Sequence, residues 1–338
     1  AIGYQAMDAL PDGDDNIAIG YQALTDASTT NTVRNIGIGS YALKSINANC
    51  SDNVAIGHKA LENANSNDID SNVAIGSYVM DGITSQGVWA CVGIGDRAMT
   101  EALSTHTTGA KNMAIGYQAM LDTDAGSTSL GSTENVFIGY QAGSGTWTDA
   151  ASNYNVAVGN STMRNAMDGA LNNTAVGHGA SKSITTGDWN TSLGSLSLED
   201  LTTGARNTAL GFNAGLQLTG ATHNTIVGMN AMGNVTADVV GVTAIGYNSV
   251  PASGLTTGAN YTVGIGYSAL AALTSGQKNV AIGYQSGLET LIGDSNISIG
   301  YQAFVGDAGL QNDNNIAIGS ANPDGIILLL EQVLWLER

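Results

Sequence analysis

The chain has 338 residues, with 28 acidic against 10 basic side chains and a formal net charge of −18. A surface of that sign repels nucleic acid and anionic headgroups, so neither is an expected partner. Only 11% of residues are charged and 43% are hydrophobic, which is too apolar for a disordered chain. No stretch approaches the ~20 apolar residues of a membrane-spanning helix, so membrane insertion by a helix is excluded. The 45 glycines do not recur at every third position, which excludes collagen.

The first predicted element is the phrase NIAIGYQAL at Asn16–Leu24, which returns as NMAIGYQAM at Asn112–Met120 and NVAIGYQSG at Asn279–Gly287. Aligned on the glycine that closes AIG, the phrase recurs at Gly3, Gly20, Gly39, Gly57, Gly76, Gly95, Gly116, Gly139, Gly159, Gly177, Gly194, Gly211, Gly228, Gly246, Gly266, Gly283, Gly300 and Gly319, which makes 18 units. Intervals run from 17 to 23 residues. The position before the glycine (Gly−1) is always Ile, Val or Leu. Gly−2 is Ala, Gly or Ser except at Phe137 and Ile226. Gly−4 is Asn in 14 of 17 units, the exceptions being Cys91, Val242 and Thr262. Tyr follows the glycine eight times.

Alternation with a period of two predicts a short strand of about five residues in each unit. Such a strand buries its apolar face only by stacking on the next unit. The fold class expected is therefore all-β, a parallel β-roll or β-helix solenoid of about 18 coils covering residues 1–322. At about 4.8 Å per strand these would extend roughly 85 Å. The repeat core is read in Asn16, Ile19 and Gly20, in Asn53, Ile56 and Gly57, in Asn112, Ile115 and Gly116, and in Asn279, Ile282 and Gly283. The Asn side chains are expected to form a structural ladder. Parity is expected to turn Gly−3 and Gly−1 to the core. The small residues at Gly−2 then form a stripe on the other face, which a homo-oligomer would cover.

Between strands, LTTGARN (Leu201–Asn207), LTTGANY (Leu255–Tyr261) and LTSGQKN (Leu273–Asn279) place a glycine where positive φ would make the corner. PDGDDN (Pro11–Asn16) and NDIDSN (Asn67–Asn72) are acidic corners that read as solvated turns, with weak surface Ca²⁺ binding the alternative. No other cofactor is implied. Trp89, Trp147 and Trp189 fall in corners, where packing under a long loop competes with stacking on a glycan. His58 and His178 occupy the Tyr position; His106 and His223 lie elsewhere. Cys50 and Cys91 sit about two coils apart, beyond bridging distance, and are expected to be free thiols. A threonine run at Gly−3, Thr174 to Thr243, would face the core by parity, which argues against ice binding. From residue 323 to 338 the repeat is abandoned for a cap or the start of another module. Ala1 falls inside a repeat and is not Met, so the chain reads as a fragment of a longer one.

No nucleophile elbow, Walker loop, HExxH or CxxC pair occurs, and the GIG strings lack the helix and third glycine of a dinucleotide fingerprint. No enzyme is expected. The phrase NVAIG at Asn53–Gly57, Asn72–Gly76 and Asn279–Gly283 resembles the head repeats of YadA-like trimeric autotransporter adhesins. AIGYQAL with its TTG linkers is similar to repeats of bacteriophage tail-fibre proteins. These resemblances imply a left-handed roll in a homotrimer, located extracellularly on a virion tail fibre. They imply attachment to a host cell-surface glycan or protein. The alternatives are the head of a bacterial surface adhesin or an extracellular filament subunit.

Overall fold

A computed structural model describes residues 1–8, 13–25, 32–46, 50–63, 69–82, 88–100, 109–121, 131–147, 150–251, 259–288, 292–304, 313–320 and 328–331. The chain is all-β, with no α-helix among the described residues. It divides into two compact units: Ala1–Gly179 with Ser183–Thr186, and Ala180–Lys182 with Gly187–Arg338. The first carries β1 (Ile17–Ile19), β2 (Ile36–Ile38), β3 (Val54–Ile56), β4 (Val73–Ile75), β5 (Val88–Trp89), β6 (Val92–Ile94), β7 (Gly109–Ala110), β8 (Met113–Ile115), β9 (Val136–Ile138), β10 (Val156–Val158) and β11 (Thr174–Val176). The second carries β12 (Thr191–Leu193), β13 (Thr208–Leu210), β14 (Thr225–Val227), β15 (Thr243–Ile245), β16 (Val263–Ile265), β17 (Val280–Ile282), β18 (Ile297–Ile299), β19 (Asn315–Ile318) and β20 (Leu328–Glu331).

In each unit the repeat strands stack in parallel with like positions opposed, as in a β-solenoid. Val54 lies opposite Val73 and Ile56 opposite Ile75; Val263 lies opposite Val280 and Ile265 opposite Ile282. The strands between corners are three residues long where five were expected, because backbone pairing shifts to the next side of the coil at the glycine. There the Gly39 amide donates to Ile19 O at 2.8 Å and the Tyr41 amide to Tyr21 O at 2.9 Å. Two residues on, the Leu43 amide donates to Ala60 O of the following coil at 3.0 Å. Of the non-repeat C-terminal segment only β20 is described; it pairs antiparallel with β19, Ile316 opposite Leu330, and so covers that sheet edge.

The repeat glycine is required for two reasons. Its φ lies between 127° at Gly246 and 144° at Gly139, a region open only to glycine. A Cβ on Gly57 would also collide with the carbonyl oxygen of Gly76, and one on Gly266 with that of Gly283. The linker glycines act differently from expectation. Gly204 and Gly276 lie outside the positive-φ region, and space alone holds them to glycine: a Cβ would strike the carbonyls of Ala221 and Gly293 respectively. Gly258 of the second linker lies outside the described residues. The left-handed corner residues are instead Arg206 at φ 60° and Lys278 at 58°, each just before its Asn position.

The expected parity of the strands is reversed. Gly−2 faces the core: Ala18, Ala55, Ala114, Ala157, Ala244 and Ala281 are fully buried. Gly−3 and Gly−1 point outward, so β3 and β8 alternate half-buried, buried, half-buried and β1 alternates exposed, buried, exposed. The cause is the narrowness of the coil. The residue four after the glycine folds beneath Gly−2 and leaves room only for a small group. A Cβ on Gly93 would meet Met80 Cε at 3.1 Å, and one on Gly264 would meet Val250 Cγ2 at 2.5 Å. Where Gly−2 is large, the partner is small: Phe137 lies against Gly143, whose Cβ would meet the ring at 2.5 Å. The alanine stripe is therefore core and is not an interface.

Replacing Gly57 (φ 141°) with Ala is expected to cost about 2–5 kcal/mol, from strain and collision together. Gly82→Ala, at φ 85° with nothing within 4 Å, is expected to cost about 1–2 kcal/mol. Equilibrium urea denaturation of the two variants measures the difference, and equal losses would refute the collision.

Candidate functional surfaces

The buried asparagines form the expected ladder, and Asn53 shows an amide using its full hydrogen-bonding capacity. Asn53 Oδ1 accepts from the Asn72 backbone amide at 3.1 Å and from Asn72 Nδ2 at 3.0 Å. Asn53 Nδ2 donates to Asn35 Oδ1 at 3.0 Å and to Ile69 O at 2.7 Å. The last acceptor always sits three residues before the next Asn position. Asn16 reaches Thr32 O, Asn112 reaches Ser132 O and Asn279 reaches Gly293 O in the same way. Each Asn thus ties its own coil to the corner of the next. At Val242 only the backbone survives: its amide donates to Asn224 Oδ1 at 2.8 Å. These residues are structural, as are Gly20, Gly57, Gly116 and Gly283 above. Ile19 and Ile282 are exposed, and Ile56 and Ile115 half-buried, on the outward face.

The threonine run is also corrected by the parity. Thr191, Thr208 and Thr225 are exposed and stand in register, opposite one another, with Thr243 next in line. Leu193, Leu210, Val227 and Ile245 share their face. The parity argument against a solvent-facing threonine ladder therefore falls. In the second unit the ladder occupies four rungs before Val263 and Val280 replace it.

Tyrosines after the glycine form exposed columns. Tyr247, Tyr267, Tyr284 and Tyr301 stack at centroid spacings of 5.1, 5.2 and 5.2 Å with interplanar angles of 19°, 15° and 7°. Tyr4 with Tyr21, and Tyr117 with Tyr140, stack likewise at 5.4 Å and 11°. His58 takes the Tyr position as expected, edge-on between Tyr41 and Tyr78 at 6.1 and 5.3 Å. His178 is exposed; His106 lies outside the described residues. The recurrence of Tyr at one repeat position was the sequence signal for these columns, and their ring-on-ring geometry needed the three-dimensional stacking of coils.

The three tryptophans diverge. Trp147 is buried and packs edge-on against Phe137 at 5.7 Å, so no glycan reaches it. Trp89 and Trp189 are exposed in different units, each beneath a cation of the next coil: Lys111 Nζ lies 5.0 Å from the Trp89 ring and Arg206 Cζ 4.6 Å from the Trp189 ring. One face of each indole is therefore already occupied.

Of the acidic corners, Asp70 accepts from Ser51 N and Ser51 Oγ, both at 2.8 Å, which gives it a structural task. Pro11, Asp12, Asn67 and Asp68 lie outside the described residues. Among the described residues no group of three or more His, Cys, Asp or Glu side chains could hold a metal ion. No helix among the described residues is long and apolar enough to cross a membrane. Cys50 and Cys91 are buried and not in a disulfide, and burial pushes the Cys91 thiol up to about 11. No protein-family model matches the chain, and no curated relative matches it.

Asn53→Ala is expected to cost about 2–4 kcal/mol, because the Asn72 side-chain amide and Ile69 O lose buried partners. Thermal and urea unfolding measure it; a loss under 1 kcal/mol would contradict the ladder's role. The raised Cys91 thiol predicts resistance to iodoacetamide in the native chain at about pH 8, with labelling only after unfolding. Intact mass before and after denaturation reads this directly.

Proposed function

We propose that the chain is a shaft segment of a bacteriophage tail fibre, a non-enzymatic homotrimer that reaches a glycan or protein on a host cell surface. The observation that carries the reading is the outward aliphatic face. Leu193 is 47% exposed, Leu210 43% and Ile282 37%, each at Gly−1 of a strand whose neighbours carry Ile, Val or Leu in register. An apolar stripe repeated on successive strands is costly to leave in water and marks an interface. Copies arranged about a closed symmetry axis would cover it on every chain alike. The number three comes from the resemblance of NVAIG and AIGYQAL to trimeric adhesin and tail-fibre repeats. The net charge of −18 suits a role away from nucleic acid.

Light scattering on the purified chain tests the reading. Three times 34.3 kDa is the expected mass, and a stable species of 34.3 kDa would overturn it. Ile56→Glu combined with Ile75→Glu, on the outward face of adjacent strands, is expected to yield monomer while the far-ultraviolet spectrum remains β. The matching change at Ala55, inside the coil, is expected to abolish folding.

A further inference from the structure

We propose that the four-tyrosine column at Tyr247, Tyr267, Tyr284 and Tyr301 is a site of oxidative tyrosine coupling that staples successive coils covalently. The inference does not depend on the number of copies in the assembly. Three observations carry it. The rings are accessible, at 40–53% exposure, so an oxidant can reach them. They lie nearly parallel at 5.1–5.2 Å between centroids, ring over ring. Their backbones are clamped at that spacing: the Ser268 amide donates to Tyr247 O at 3.0 Å, the Gln285 amide to Tyr267 O at 2.8 Å and the Gln302 amide to Tyr284 O at 2.8 Å. Gln302 Nε2 also donates to Gln285 Oε1 at 2.8 Å beside the upper pair.

The chemistry follows from this spacing. A one-electron oxidant of the peroxidase or photogenerated type removes one electron from each of two neighbouring phenols, and each phenolic proton goes to solvent. The two phenoxyl radicals couple through ring carbons ortho to oxygen (Cε), forming one carbon–carbon bond. The two Cε–H bonds then break as the rings regain aromaticity, and protons return to the oxygens. The product has lost two hydrogens overall, and the oxidant has gained two electrons. In free solution this step requires two radicals to meet; in the column they are held in contact. A bond between Tyr267 and Tyr284 would join adjacent coils without displacing either backbone.

The chain carries its own controls. Tyr154 and Tyr261 are as exposed, at 51% and 58%, and have no stacked tyrosine among the described residues. Illuminating the full chain with tris(bipyridyl)ruthenium and persulfate, then digesting it, is expected to give dityrosine fluorescence. Cross-linked peptides should pair Tyr247 with Tyr267, Tyr267 with Tyr284 or Tyr284 with Tyr301 within one chain. Tyr154 and Tyr261 should be at least tenfold less represented. Tyr267→Phe with Tyr284→Phe keeps the ring stack but leaves Tyr247 and Tyr301 roughly 15 Å apart, at about 4.8 Å per strand. That variant should lose the column's cross-links while its circular dichroism is unchanged. Cross-links drawn evenly from Tyr154 and Tyr261, links only between chains, or an undiminished yield in the double variant would each overturn the proposal.

Discussion

The structure depends on a single close approach, that of each repeat glycine to the carbonyl of the glycine in the next coil. In the first unit it runs from Gly3 to Gly177, and in the second from Gly194 to Gly319. No side chain fits between these backbones, so the coils can settle at β-strand spacing. The same glycine sits at φ near 135°, which ends the strand and turns the chain onto the next side of the coil. The residues two and four further on, such as Lys59 and Leu61, then take left-handed φ of 59° and 52°. The second of them folds under the strand, and that leaves Gly−2 room for little more than a methyl group. What remains, the larger Ile, Val and Leu at Gly−3 and Gly−1, must point out.

A coil so narrow has little hydrophobic volume, and its cohesion comes in large part from polar groups satisfied in series. The asparagine ladder is the clearest case. At Asn53 the amide is buried, its carbonyl oxygen takes two donors, and its nitrogen gives two hydrogens, one to the previous Asn and one to a corner carbonyl. Corners of different length are thereby fixed at the same point relative to the strand. This explains how intervals of 17 residues and of 23 are accommodated: the extra residues lie ahead of the Asn anchor, and register resumes at it. A buried network of this kind is unforgiving of a missing member.

Much of this was legible in the amino-acid sequence because the repeat reports its own register. The strand positions, the parallel stacking, the Asn ladder and the stacked His58 follow from recurrence alone. The parity was not legible. An alternating pattern of large aliphatic and small residues marks two faces but does not say which is inside; that depends on the coil's width, which is set by the left-handed residues after the glycine. Nothing in Lys59, Tyr41 or Leu43 as residue types announces a positive φ. Gly204 and Gly276 misled in the opposite sense, since glycine serves close approach there and the turn falls on Arg206 and Lys278. The burial of Trp147 depended on the unusual Phe137 in its coil, a pairing visible only once the two were in space.

The proposed roles, a shaft segment and a stapled tyrosine column, both rest on coils that repeat in strict register. Residue-resolved amide hydrogen exchange tests that register most directly. The account predicts slow exchange locked to the repeat: at the strand entry, at the glycine, and at the second and fourth residues after it, as at Val54, Gly57, Lys59 and Leu61. The same four places should be protected in coil after coil of each unit. Exchange that is uniformly fast, or protected in blocks that ignore the repeat positions, would contradict it.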